Sequence, residues 1–179
     1  MSRSFVLDAA GPFSYEPSVP SRVYVETSIP SFFFEERPQP DMVARRDWTR
    51  EWWAAASATS ELVTSVAVIE ELERGQFGSQ EHCLRLVGEL PLLAIEPPIL
   101  EIVQTYIRHQ VMPADPVGDA LRVALAAYHR CDFLVTWNCK HIANANKFGH
   151  IRRVNAMLGL FNPALVTPLE LLGGTDNVH

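Results

Sequence analysis

Cysteine is scarce in this chain and poorly placed for bonding: Cys83, Cys131 and Cys139 are its three, and none belongs to a CxxC pair. An odd, scattered set gives neither a disulfide framework nor a zinc signature, so a reducing cytoplasm is the simplest compartment. No apolar run approaches the roughly 20 residues that a membrane span needs. At the N-terminus only Arg3 precedes a short "FVL" run, weaker than the basic segment and apolar stretch of a secretory signal. Repeats and low-complexity blocks are also lacking, which excludes solenoids and arrays. An Asp-x-Asp pair after the first strand-like run would point to an acyl-phosphate-type phosphatase, but "ETS" stands there instead.

What is present suits one soluble domain. The chain has 179 residues, 47% of them apolar and 20% charged, enough for one well-buried core and too few for two comfortable ones. Residues 1–21, rich in Ser, Pro and Ala, are expected to form a flexible arm, residues 22–172 the domain and residues 173–179 a tail. The formal charge of −6 argues against binding nucleic acid by overall attraction, yet the charge is uneven. Residues 133–169 contain Lys140, Lys147, Arg152 and Arg153 and no acid, which makes that segment +4 and leaves −10 elsewhere. Either this is a solvated helix face, or it meets phosphates while the acids gather around a metal.

Short β-branched runs alternate with helical patterns. Strands are expected at 22–26, 61–65, "PLLAIE", 132–137 and "ALVT". Helices are expected near 41–58 with Asp41 as N-cap, 66–74 with Gly75 as stop, 79–89, 98–110, 116–130 opened by Pro116, and 141–158, with a terminal turn at "PLELL". Strand, helix, strand at this spacing predicts an α/β fold, a parallel sheet of four to five strands in a three-layer α/β/α arrangement. Ligands of such sheets sit beyond the carboxyl ends of the strands. Glu26, Asn138 and the helix after "ELVTS" all fall at such ends.

An acid at a strand's carboxyl end can point into a cleft without facing the core, and Glu26 is so placed. Taken singly, each acid also has a plain structural account. Glu26 suits a solvated loop, and Glu70, Glu71 and Glu73 suit a solvated helix face. On that helix Val68, Ile69 and Leu72 form the apolar stripe, Glu70 lies nearly opposite, and Glu71 and Glu73 fall on its shoulders. Asp119, in the first turn of its helix, is favoured there by the helix dipole. Ser28 and Thr136 have hydroxyls able to join a site or to serve the backbone.

Taken in order, "YVETSIPSFF", "TSVAVIEELERG", "DALRVALAA" and "CDFLVTWN" resemble the PIN-domain ribonucleases, particularly the VapC-like toxins of bacterial toxin–antitoxin pairs. The resemblance covers about residues 22–170 and implies a PIN-like fold. It places Glu26 at the family's first acid, Glu71 in the Ser-x5-Glu-Leu-x-x-Gly pattern, Asp119 at the acid opening the "DAL" helix, and Asn138 in the Thr-x-Asn position. Two departures stand out: the family's usual first residue is Asp, one methylene shorter than Glu26, and a later Asp of many toxins is replaced by His141. His141 is open to three readings, a substitute ligand, a phosphate contact or a helix-start residue without a role.

The resemblance implies a hydrolase that cuts RNA, with Glu26 and Asp119 as principal metal ligands, Glu71 as a metal ligand, a ligand through water or the group orienting the nucleophile, and Asn138 as a neutral donor positioning water or ligand. If the three acids lie within about 4 Å of one another, each like-charged pair repels by roughly 4 kcal/mol at an effective dielectric near 20. Such a cluster needs protons or a cation, and hard oxygen donors suit Mg²⁺ or Mn²⁺. Lys140, His141, Lys147, Arg152 and Arg153 are then candidate RNA contacts. The implied partners are an antitoxin protein and a second copy in a homodimer. "FFF" at 32–34 with Trp48, Trp52 and Trp53 fits either core packing or an apolar partner surface, and residues 32–40 are a candidate loop over the site.

Overall fold

A computed structural model of the chain describes residues 19–112, 118–138 and 145–173. Its strands are β1 (Arg22–Val25), β2 (Glu61–Ser65), β3 (Leu92–Leu93), β4 (Phe133–Val135) and β5 (Ala164–Val166). They form one five-stranded sheet in the order β3-β2-β1-β4-β5, and every pairing is parallel. Parallel neighbours require crossovers, and the helices supply them: α1 (Ser28–Phe33), α2 (Pro40–Thr59), α3 (Val66–Arg74), α4 (Gln80–Gly88), α5 (Pro97–Arg108), α6 (Asp119–Tyr128), α7 (Ala145–Leu158) and α8 (Pro168–Gly173).

Alternation along the strands splits the core in two. Tyr24, Val63, Leu134 and Leu165 face α3 to α7, while Val23, Val25, Leu62 and Val135 face Ile29 of α1 and Trp52 and Ala56 of α2. Helices thus cover both faces of the sheet, the arrangement that parallel strands demand. The chain runs from β1 outward to β2 and β3, then returns to the other side of β1 for β4 and β5. The order reverses between β1 and β4, so a crevice opens there at the carboxyl ends of the strands. Glu26 follows β1 and Thr136 follows β4, which places both at that crevice.

Several boundaries differ from expectation. Gln39, not Asp41, is the N-cap of α2, because Pro40 takes the first helical position and leaves Asp41 in the first turn. β3 keeps only Leu92 and Leu93 of the six-residue run, since Pro97 starts α5 soon after. The helix expected from Pro116 begins at Asp119 with Gly118 as cap, and residues 113–117 lie outside the described set. α1 was not anticipated; it buries Ile29 and Pro30 and shortens the candidate loop to residues 34–39. Most of the expected arm, residues 1–18, and most of the tail, residues 174–179, fall outside the described residues. Among the described residues no helix is long and apolar enough to cross a membrane.

Much of the aromatic stretch packs on the core, with Trp52 buried and its neighbours half-buried. Trp52 and Trp137 are buried, and Phe32, Trp48 and Trp53 pack against them. Trp137 stacks on Trp48 with ring centroids 6.2 Å apart and meets Phe32 at 5.9 Å. Its indole N–H donates to Thr49 Oγ1 at 2.7 Å, which satisfies the one polar atom of a large apolar side chain.

Candidate active site

Four short stretches meet at the crevice. The turn from β1 into α1 brings Glu26, Thr27 and Ser28; α3 brings Glu71; the start of α6 brings Asp119 and Arg122; the exit of β4 brings Thr136 and Asn138. α3 follows β2 without a connecting loop, so its buried stripe of Val68 and Leu72 fixes the helix rotation and turns Glu71 toward the β1 turn. Glu70 and Glu73 are exposed on the same helix and make no contact with this group.

A continuous set of polar contacts links Thr27, Glu71, Arg122, Asp119 and Asn138. Thr27 donates its hydroxyl to Glu71 Oε2 at 2.6 Å. Arg122 Nη2 donates to the same carboxylate oxygen and lies 3.5 Å from Thr27 Oγ1. Arg122 Nη1 donates to Asp119 Oδ1 at 3.0 Å, one helical turn away on α6. The Asn138 amide donates to Asp119 Oδ1 and Oδ2 at 3.3 and 3.2 Å, and its backbone N–H donates to Thr136 Oγ1 at 2.8 Å. Glu71 and Asp119 therefore share one guanidinium, and Asp119 and Asn138 share a hydrogen-bonded edge.

Exposure is graded across this group. The Glu71 side chain is 43% exposed, that of Asp119 14% and that of Arg122 10%. Glu26 lies deepest, 2% exposed, and so does not open onto solvent as its strand-end position suggested. Ser28 closes it off: its hydroxyl donates to Glu26 Oε1 and accepts the backbone N–H of Trp137 at 2.8 Å. Burial pushes the Glu26 carboxyl above its usual range, against the opposing pull of Arg122, Ser28 and Thr136. Burial works to lower the Arg122 pKa, but Glu26, Glu71, Tyr24 and Asp119 together raise it, so the guanidinium stays charged.

The Glu26 shift has a measurable consequence. A carboxyl whose folded pKa exceeds its unfolded value stabilises the fold fully below that unfolded value, near 4.5, and the contribution is lost as pH climbs through the folded pKa. Urea midpoints of the metal-free chain, taken in chelator across this range, are expected to fall with rising pH. Glu26→Gln is expected to remove that slope; an unchanged slope in the variant assigns the titration to another group.

Neither a protein-family model nor a curated protein matches this chain. Its chemistry has to be argued from these side chains. The family resemblance implies a divalent ion, and the donors present, carboxylates of Glu71 and Asp119 with the deeper Glu26, are of the hard oxygen type that Mg²⁺ and Mn²⁺ prefer. Among the described residues, however, no three acidic, histidine or cysteine side chains form a group arranged to hold a metal. The cation between Glu71 and Asp119 belongs to the chain itself. The guanidinium of Arg122 pairs with both carboxylates and fills the place between them.

The basic candidates are less gathered. Lys140 and His141 lie outside the described residues. Lys147 is half-buried on α7, and Arg152 and Arg153 are exposed on the same helix. Arg152 borders a cavity of about 150 Å³ with Phe148 and Leu165, and none of Glu26, Glu71, Asp119 or Asn138 lines it. The residue that sequence reasoning missed is Arg122. Its signal was one charge inside the otherwise apolar run "ALRVALAA", three residues after Asp119.

Proposed function

We propose that the chain is a PIN-like, metal-dependent endoribonuclease that hydrolyses RNA phosphodiester bonds and acts as the toxin of a toxin–antitoxin pair. One observation carries this reading: Glu71, Asp119 and Asn138, which come from separate elements, join one hydrogen-bonded group at the crevice between β1 and β4. That is where an open parallel sheet receives its ligands. A bound Mg²⁺ or Mn²⁺ would supply an activated water and neutralise charge building on the phosphate oxygens. Asp119 and Glu71 would be the residues to hold the ion. Asn138 fixes the Asp119 carboxylate through its amide, and Thr27 does the same for Glu71. Preset orientation of this kind lowers the reorganisation needed during reaction.

The basic residues Lys147, Arg152 and Arg153, with Lys140 and His141, supply phosphate contacts in this reading, and an antitoxin and a second copy of the chain are its partners. A second reading has a specific observation behind it: with Arg122 neutralising the acids, the same fold can serve as an RNA- or protein-binding module that cuts nothing. Titrating Mn²⁺ into the purified chain with a mixed RNA pool separates the two. Cleavage that requires Mn²⁺ and stops on chelation supports the nuclease; RNA that is bound yet intact at every Mn²⁺ concentration supports the binding module.

A further inference from the structure

Large apolar side chains that reach solvent are ordinary when scattered and informative when gathered. Of the ten such side chains among the described residues, seven lie beside the two edge strands of the sheet. Leu92, Ile95 and Leu100 follow one another from β3 into the first turn of α5. Met157, Leu158, Phe161 and Leu169 flank β5, from the last turn of α7 to the first turn of α8. β5 also borders the cavity of about 150 Å³ walled by Phe148, Ile151 and Arg152, a size that takes a benzene-sized apolar group. Among the described residues β3 pairs only with β2 and β5 only with β4, so both edges are uncovered.

The two edges carry opposite charge. Residues 86–107 hold Glu89, Glu96 and Glu101 and no Lys or Arg, whereas residues 133–169 hold four bases and no acid. Arg152 and Arg153 are exposed on α7 at the β5 edge, and Glu96 and Glu101 are exposed at the β3 edge. Tyr128 donates its hydroxyl to Glu96 Oε2 at 2.9 Å, which orients that carboxylate without neutralising it. Glu170, which borders the cavity, is engaged by the N–H and hydroxyl of Thr167 at 2.7 and 2.9 Å. An acidic apolar edge and a basic apolar edge on one chain complement each other, and neither complements itself. We propose that copies of this chain associate head to tail, the β3–α5 edge of one seated on the β5 edge and cavity of the next. The edges stand four strand spacings apart, about 19 Å, so each copy has room for two neighbours. Such a contact is heterologous and builds rings or open chains, not a two-fold pair. It shares only the second copy with the reading above: no residue of the crevice takes part, so assembly and cleavage stand or fall separately.

Sedimentation velocity of RNA-free protein over a range of concentrations tests the proposal. Wild type is expected to sediment faster as concentration rises and to pass beyond a dimer. Arg152→Glu with Arg153→Glu turns the basic edge acidic, Glu96→Lys with Glu101→Lys turns the acidic edge basic, and each double variant alone is expected to stay monomeric. Mixed in equal amounts, the two are expected to associate again, because every acidic edge now has a basic one to meet. All four positions are exposed, and thermal melts check folding; Arg153→Glu and Glu101→Lys singly replace any double variant that melts early. Leu100→Ser and Met157→Ser are each expected to weaken association at least about tenfold, the worth of one buried apolar side chain. Wild type that stays monomeric at every concentration overturns the proposal and leaves the two edges to other proteins. So does association that stops at a dimer, survives either double variant, fails to return in the mixture or is unmoved by both serine variants, since each of these places the contact elsewhere.

Discussion

Asp119→Asn is expected to lower Mn²⁺-dependent RNA cleavage at least about a hundredfold, the scale on which metal-site residues act. The substitution preserves shape but removes one of the two carboxylates that share Arg122. It also sets an amide against the amide of Asn138, which now donates to both Asp119 oxygens. Ion binding and carboxylate orientation are therefore lost together, whereas the fold keeps the buried apolar run of α6. Glu70→Gln serves as the control, because Glu70 is exposed on α3 and takes no part in the group. Gel analysis of the RNA pool with equal amounts of each protein reads the result, and thermal melts confirm that both variants are folded. Cleavage by Asp119→Asn at the wild-type rate removes Asp119 from the machinery.

Much of the scaffold was legible because its elements carry strong local signals. "ELVTS" and "VAVIEELER" were expected as strand and helix at 61–65 and 66–74, and β2 and α3 occupy those spans. Apolar alternation and a buried helical stripe act over a few residues and need no tertiary help. α1 was not legible for the opposite reason. Its six residues include Pro30 and end in aromatics, too short for a period to emerge, and its helical form depends on Ile29 and Pro30 finding cover. β3 was overread because an apolar run guarantees neither pairing nor burial: Leu92 and Ile95 are exposed, and only two residues of the run join β2.

At the site, strand-end reasoning placed Glu26, Asn138 and the start of the helix after "ELVTS" at one end of the sheet, and the resemblance added Glu71 and Asp119. Neither carried information on depth. Glu26 was read at a strand end and Glu71 on the shoulder of a helical stripe, and neither position reveals that one is closed in by Ser28 and the Trp137 backbone while the other is 43% exposed. Arg122 was missed because a single charge in an otherwise apolar helical run names no partner. Only the approach of α3, more than fifty positions earlier in the chain, turns it into the centre of the group.

Trp137→Ala is expected to destabilise the chain by about 3–5 kcal/mol, the range for removing a large buried aromatic. Trp137 lies in the core cluster between the sheet and α2, stacked on Trp48, tilted against Phe32, with the Arg45 guanidinium 5.4 Å from its ring centroid. Truncation leaves a cavity that helix and sheet cannot close, and it strips Thr49 Oγ1 of the indole donor. In a domain of this size a loss of that order lowers the melting temperature by about 10 °C. Trp137→Phe keeps most of the volume and forfeits the N–H, so a smaller cost of about 1–2 kcal/mol is expected. Urea denaturation of the three proteins measures the series. The outcome also bears on function, because residue 137 joins the two hydroxyl-anchored positions at the exit of β4: its own backbone N–H donates to Ser28 Oγ, and Asn138 follows it directly. Loosening this segment is expected to lower RNA cleavage even at temperatures where Trp137→Ala remains folded. A cost below about 1 kcal/mol for the alanine variant would mean that the aromatic cluster is not a core at all, and would return Phe32, Trp48 and Trp53 to the account in which they wait for a partner.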